Sequence, residues 1–160
     1  MNSMNPGTVR KSGPATGPGA SSHPESAQAE LLRHAVHALS TARTSTECEE
    51  RYVEAHLAAL RAAAAVISAR SVPRATSATG TARRGARCSV WSLLPPLAPE
   101  LTEWADFFAL TARKRVLAQS VPGTVSEREA DDLLRQSAQF VQIVAGLLGL
   151  PMAHPLGIAV

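Results

Sequence analysis

The sequence predicts an all-α fold, a bundle of four to five helices behind a disordered amino-terminal tail. Three observations carry this. Apolar residues make up 45% of the 160-residue chain, and alanine and leucine dominate them while β-branched residues are sparse, a balance that favours helix over sheet. Apolar side chains recur at steps of three and four along several stretches, the period of one helix face. Aromatics amount to only 4%, and the 10 glycines and 11 prolines fall mostly outside those stretches, so the ordered part is shorter than the chain. This length holds one core of ordinary size. All-β and Rossmann-type folds are excluded by the same composition.

Residues 1–24 contain glycine, proline, serine, threonine and asparagine with hardly a large apolar side chain. Such a stretch cannot offset the entropy cost of ordering and reads as a disordered tail. One domain is expected over 25–149, followed by a carboxyl-terminal tail, 150–160. Its first helix starts near Pro24, where proline suits a first turn, and runs to about Arg43 with Leu31, Leu32, Ala35, Ala38, Leu39 and Ala42 facing inward. The second helix has Thr46 as its cap, Glu47, Glu49 and Glu50 to complement the amino-terminal dipole, and alanine-rich sequence continuing to Arg70. Val53, Leu57, Leu60, Ala64 and Ile67 form its expected core stripe, and the flanking alanines let a neighbouring helix approach closely.

From 71 to 88 the chain is rich in Ser, Thr, Ala, Gly and Arg, includes Pro73 and Gly80, and keeps no apolar period, which marks a basic flexible loop. A short helical turn over Ser89–Leu94 is expected to stop at Pro95 and Pro96. Pro99 then opens a helix ending near Gln119, with Leu101, Trp104, Ala105 and Phe108 on its apolar side. Its acids come first, at Glu100, Glu103 and Asp106, and its cations last, at Arg113, Lys114 and Arg115, the order the helix dipole prefers. After Pro122 and Gly123, Ser126 and Glu129 have capping-box spacing ahead of Ala130, Leu133, Leu134, Val141, Val144 and Leu148. Brief connections between the other helices make a bundle the economical architecture, and one this small gains burial by pairing with a second copy. A homodimer is expected.

The formal charge is +3, but Arg70, Arg74, Arg83, Arg84 and Arg87 stand in a stretch without acids and Arg10 with Lys11 lie in the tail. The remaining body is mildly acidic. Nearly every cation is arginine, which together with the abundant alanine is the signature of a GC-rich bacterial genome. Cys48 and Cys88 have no partner at disulfide or zinc-ligand spacing, and His34 with His37 lack a third ligand, so neither metal nor cofactor is expected. No secretory signal is visible, and Pro151, Pro155, Gln139 and Gln142 interrupt the uncharged carboxyl end. A cytoplasmic location without membrane contact follows as the expectation.

No phosphate-cradling glycine motif, nucleophile elbow or catalytic metal pair is present. What stands out is Arg-Tyr-Val-Glu-Ala-His, Arg51 to His56, an R-x4-H pattern within ERYVEAHLAALRAAAAV. On a helix of a small all-α domain it resembles the HEPN superfamily (higher eukaryotes and prokaryotes nucleotide-binding), whose nuclease members carry R-x4-6-H. Tyr52, Ala55, His56 and Ala59 are similar to the tyrosine, alanine and histidine pattern of an early HEPN helix. Together with LAPELTEWADFFALTARKR and READDLLRQSAQF they resemble a small actinobacterial HEPN-like family over about residues 26–148. The resemblance implies a helical module associated with RNA, a nucleotide or a protein partner.

For the nuclease members it implies a metal-independent, toxin-like endoribonuclease acting at a dimer interface. Arg51 would then stabilise charge on the scissile phosphate and His56 would move a proton as a ribose 2′-hydroxyl attacks. Residues five apart diverge by about 140° around a helix, so the two converge only in a bent first turn or between subunits. Tyr52 stands where the nuclease motif usually has a small polar residue. The plain structural alternative pairs Arg51 with Glu47 or Glu54 across one turn and leaves His56 half-buried beside the alanines. Arg83, Arg84 and Arg87 are the candidate phosphate contacts. Trp91, Trp104, Phe107 and Phe108 could stack on bases, but spacing puts Trp104 and Phe108 on the core face.

Overall fold

A computed structural model describes residues 24–71 and 89–150. It contains α1 (Pro24–Thr44), α2 (Cys48–Arg70), α3 (Val90–Leu97), a 3-10 turn (Pro99–Leu101), α4 (Thr102–Ala118) and α5 (Glu127–Leu147). No strand occurs among the described residues, so the all-α expectation holds. The expected tail up to residue 23, the basic loop from 72 to 88 and the end from 151 to 160 lie outside them.

The bundle is built around α2, which packs against every other helix and most extensively against α1 and α5. Its composition explains that position. The buried residues of α2 are Tyr52, Ala55, His56, Ala58, Ala59, Ala62, Ala63, Ala65 and Val66, and methyl side chains let neighbouring backbones close in from several directions. The expected stripe of Val53, Leu57, Leu60, Ala64 and Ile67 is only half-buried, which corrects the one-faced reading. A central helix has little width to spare, so Val53, Leu57, Leu60 and Ile67 sit at the seams between neighbours, while Val66 is buried. By length and composition alone α2 would suffice to cross a bilayer, yet half of its apolar window is buried inside the bundle.

Leu32, Ala35, Ala38, Leu39 and Ala42 of α1 are buried, with Leu31 half-buried beside them. The α1–α2 turn departs from expectation at its cap. Glu47, not Thr46, occupies the N-cap position, and no side chain caps the helix there. The Glu49 carboxylate instead accepts the backbone N–H groups of Gly123 (2.6 Å) and Thr124 (3.1 Å), tying the start of α2 to the turn before α5. Gly123 holds a φ of 77°, the left-handed region that favours glycine.

Ser89 caps α3, its side chain accepting the N–H of Trp91. The helix continues through Pro95 and Pro96 to Leu97 rather than stopping at the first proline. A proline ring tolerates helical φ, so the cost falls on carbonyls left without a donor, and the Ala98 N–H closes the helix onto the Leu94 carbonyl at 2.8 Å. At the far end of α2, Arg70 donates to the Leu97 carbonyl (3.1 Å) and pairs with Glu100 (2.6 Å), fastening α2 to the α3–α4 corner.

Leu101 of the 3-10 turn and Ala105 and Phe108 of α4 are buried, with Trp104 half-buried. The capping box of α5 is complete: Ser126 Oγ accepts the Glu129 N–H, and Glu129 Oε2 accepts the Ser126 N–H at 3.0 Å. Behind it Ala130, Leu133, Ser137, Phe140, Val141, Val144 and Ala145 are buried, and Leu134 and Leu148 are partly so.

Candidate functional site

Arg51 lies in the first turn of α2, where its guanidinium braces three elements. Nη1 donates to Asp131 Oδ1 of α5 at 2.6 Å, and Nη2 donates to the Ser45 carbonyl, just past the end of α1, at 3.1 Å. The side chain is 16% exposed. Neither Glu47 nor Glu54 is its partner; the ion pair instead bridges 80 residues of sequence. Its Asp131 partner is half exposed, so the ion pair itself is partly solvated, and the part-buried bond to the Ser45 carbonyl adds a second directed anchor for the guanidinium.

His56 leaves α2 in another direction. It is 1% exposed, deeper than the half-buried position expected, and its Nε2 lies 3.1 Å from the Phe108 carbonyl of α4. A carbonyl only accepts, so Nε2 carries the proton and Nδ1 keeps a lone pair. Nδ1 is buried and has no hydrogen-bond partner among the described residues. Trp91 and Phe108 meet the imidazole edge-on, with ring centroids at 5.7 and 5.9 Å. Burial lowers the pKa of His56 to about 4, with the Phe108 carbonyl opposing and the charge of Arg115 assisting, so the ring is neutral at pH 7.

Within one chain, Arg51 and His56 are therefore separated, as the helix period requires. Arg51 points to the α1 and α5 ends, and His56 points into the cluster between α3 and α4. Tyr52, one turn before His56, is part of the same latch: its hydroxyl donates to the Thr111 carbonyl at 3.5 Å. Thus two polar side chains of α2, four residues apart, reach two carbonyls of α4. Burial and then the nearby Glu129 carboxylate push the Tyr52 phenol above its usual range.

The aromatic residues belong to the interior. Trp91 and Phe108 stack at 5.0 Å, and Phe140 joins both. Trp104 flanks Phe108 and Phe140, and Phe107 touches Phe108. A shallow groove of about 320 Å³ opens between α4 and α5 beside this cluster, lined by residues including Tyr52, Thr111, Lys114, Glu129 and Leu133. Lys114 and Glu129 pair across it. That lysine, followed by the Ser126 N–H and hydroxyl, holds the Glu129 carboxyl down at about 2.

Arg83, Arg84 and Arg87 lie outside the described residues. Among those described, no three His, Cys, Asp or Glu side chains cluster in a way that could hold a metal. Sequence reasoning missed Asp131 and the Phe108 carbonyl, both of which are distant in the chain. The fall of Tyr52, Ala55, His56 and Ala59 on one alanine-lined face was the available signal that His56 is interior.

No curated protein and no solved structure matches the chain. A family model does: SAV_6107-like HEPN, over residues 42–145, which take in α2, α3, α4 and most of α5. That match extends over more than half of the sequence, and the chain belongs to the SAV_6107-like HEPN family.

Proposed function

We propose that this chain is a non-catalytic HEPN module of the cytoplasm, one that binds RNA, a nucleotide or a protein partner without cleaving it. The interior seat of His56 carries this reading. An imidazole enclosed by Trp91 and Phe108, with Nε2 committed to a backbone carbonyl, has no route to a ribose hydroxyl. Its pKa near 4 also leaves only about one ring in a thousand protonated at pH 7, too few for an efficient general acid. Arg51 is likewise occupied by Asp131 and Ser45. Phosphate contact falls instead to Arg83, Arg84 and Arg87, whose stretch contains no acid to neutralise them.

The R-x4-H motif itself favours a second reading, the metal-independent endoribonuclease with Arg51 and His56 shared between subunits. One assay separates the two. Purified protein is incubated with structured and unstructured RNA in chelator, beside His56→Ala and Arg51→Ala variants of verified helicity, and the products are examined for 2′,3′-cyclic phosphate ends. Non-catalysis means that none of the three yields such ends above the buffer control. Cyclic ends from the parent protein that vanish in both variants would establish the nuclease. RNA affinity, measured by anisotropy, is expected to fall with added salt and with replacement of Arg83, Arg84 and Arg87 by glutamine, because phosphate contacts release counterions.

A further inference from the structure

The outward face of α4 sets large apolar side chains among charged ones. Leu110 is 79% exposed and Leu117, one heptad on, is 53% exposed. Asp106, Ala109, Leu110 and Arg113 lie together on this face and line one side of a surface groove. Among the described residues neither Asp106 nor Arg113 forms an ion pair.

These four residues have a symmetry of their own. Asp106 and Arg113 are seven apart, two turns or about 10.5 Å along the helix, and their midpoint falls between Ala109 and Leu110. A two-fold axis through that midpoint sets a second α4 antiparallel to the first. Each Asp106 then meets Arg113 of the other copy, and each Leu110 lies over the other copy's Ala109, where a single methyl leaves room for it. A face whose charges and sizes are complementary to itself is what an isologous contact needs.

We infer that the outward face of α4 is a self-association surface whose occupant is a second copy of this chain, paired antiparallel about Ala109 and Leu110. The contact is independent of RNA binding, since a chain can dimerise without touching RNA and the converse. It also bears on the motif. His56 is bonded to the inner side of α4, so both α4 helices stand between the two imidazoles, and pairing on this face does not assemble a shared Arg51–His56 centre.

One helix face per protomer is a small interface, at the weak end of specific contacts, so sedimentation equilibrium of the full chain should span about 1 µM to about 500 µM. A reversible monomer–dimer equilibrium is expected. Leu110→Glu, at an exposed position that the fold does not need, should raise the dissociation constant by about 100-fold, since both copies lose their central contact. Asp106→Arg and Arg113→Asp should each weaken self-association by about 10-fold or more, because each sets like charges against each other. Mixing these two variants is the decisive arm: every arginine then faces an aspartate, and a heterodimer should form where neither variant pairs alone. A monomer throughout the range, a dimer indifferent to Leu110→Glu, or a mixture that fails to pair would overturn the assignment. A monomer with α4 amides protected from exchange would place another part of the chain on this face, and would overturn it too.

Discussion

Acidification should destabilise the fold through His56, by an amount the structure sets. In the unfolded chain an imidazole titrates near 6.5, and in the fold burial lowers this to about 4, against the pull of the Phe108 carbonyl. Above pH 7 the ring is neutral in both states and adds no pH dependence. Between 6.5 and 4 the unfolded chain takes up a proton that the folded chain refuses, so stability falls as pH falls. Below 4 both states hold the proton and the slope vanishes. A shift of about 2.5 units at 1.36 kcal/mol each comes to about 3 kcal/mol lost across this window. The carboxylates of Glu49, Glu100 and Glu129, all lowered in the fold, also begin to release stability below about pH 4.5, so a reference is needed. His56→Gln supplies it: the amide can still donate to the Phe108 carbonyl but does not titrate. Urea denaturation of both proteins in steps from pH 7.5 to 4 gives the difference in unfolding free energy. The parent should lose about 3 kcal/mol relative to the variant. Parallel curves would mean that the folded protein protonates His56 as readily as the unfolded chain does, and the enclosed seat would be wrong.

Removing the brace has a smaller cost. Arg51→Ala should lower unfolding free energy by about 1–2 kcal/mol, and Asp131→Ala by somewhat less, with a double variant short of their sum, because the two side chains share one interaction; chemical denaturation of the four proteins measures the coupling. Ala59→Leu should cost about 1–3 kcal/mol by forcing α2 away from its neighbours, more than Leu57→Ala at the half-buried seam, an order that thermal melts would reverse if the leucine stripe were the core. Ser126→Ala should cost about 1 kcal/mol by opening the capping box, read as a lower denaturation midpoint with hydrogen exchange raised first at the start of α5.

The elements that announced themselves were those with chemistry at their ends. Pro24 and the Ser126–Glu129 pair are local signals, and α1 and α5 begin where they put them; Pro99 opens a 3-10 turn, and α4 starts three residues later, at Thr102. Periodicity misled for α2 because a one-face pattern assumes one neighbour. A helix enclosed by four others buries residues on several faces, and here most of those are alanines, with Tyr52, His56 and Val66 among them. The double proline after Leu94 marked an end three residues early, since a proline disrupts the hydrogen bonds behind it and not the dihedrals it occupies.

The motif was legible as a pattern and not as a role. Seen along one helix, Arg51 could look only to Glu47 or Glu54, whereas its carboxylate comes from α5, a partner that only the tertiary fold supplies. The same holds for His56, whose acceptor is a backbone carbonyl and carries no side-chain signature. The helix period did foretell that the two would not converge within one chain. The four aromatics gathered around Phe108 follow the same logic, with core packing winning over base stacking as spacing suggested for Trp104 and Phe108.

Long-range 1H–15N NMR of the histidine-labelled protein reads the protonation state of His56 at its own atoms. An enclosed, carbonyl-bound ring should show one tautomer at pH 7, with the proton on Nε2, and a titration midpoint near 4. A midpoint near 6.5 with both tautomers exchanging would put the imidazole in solvent, return it to catalysis, and contradict the reading of this chain as a binding module.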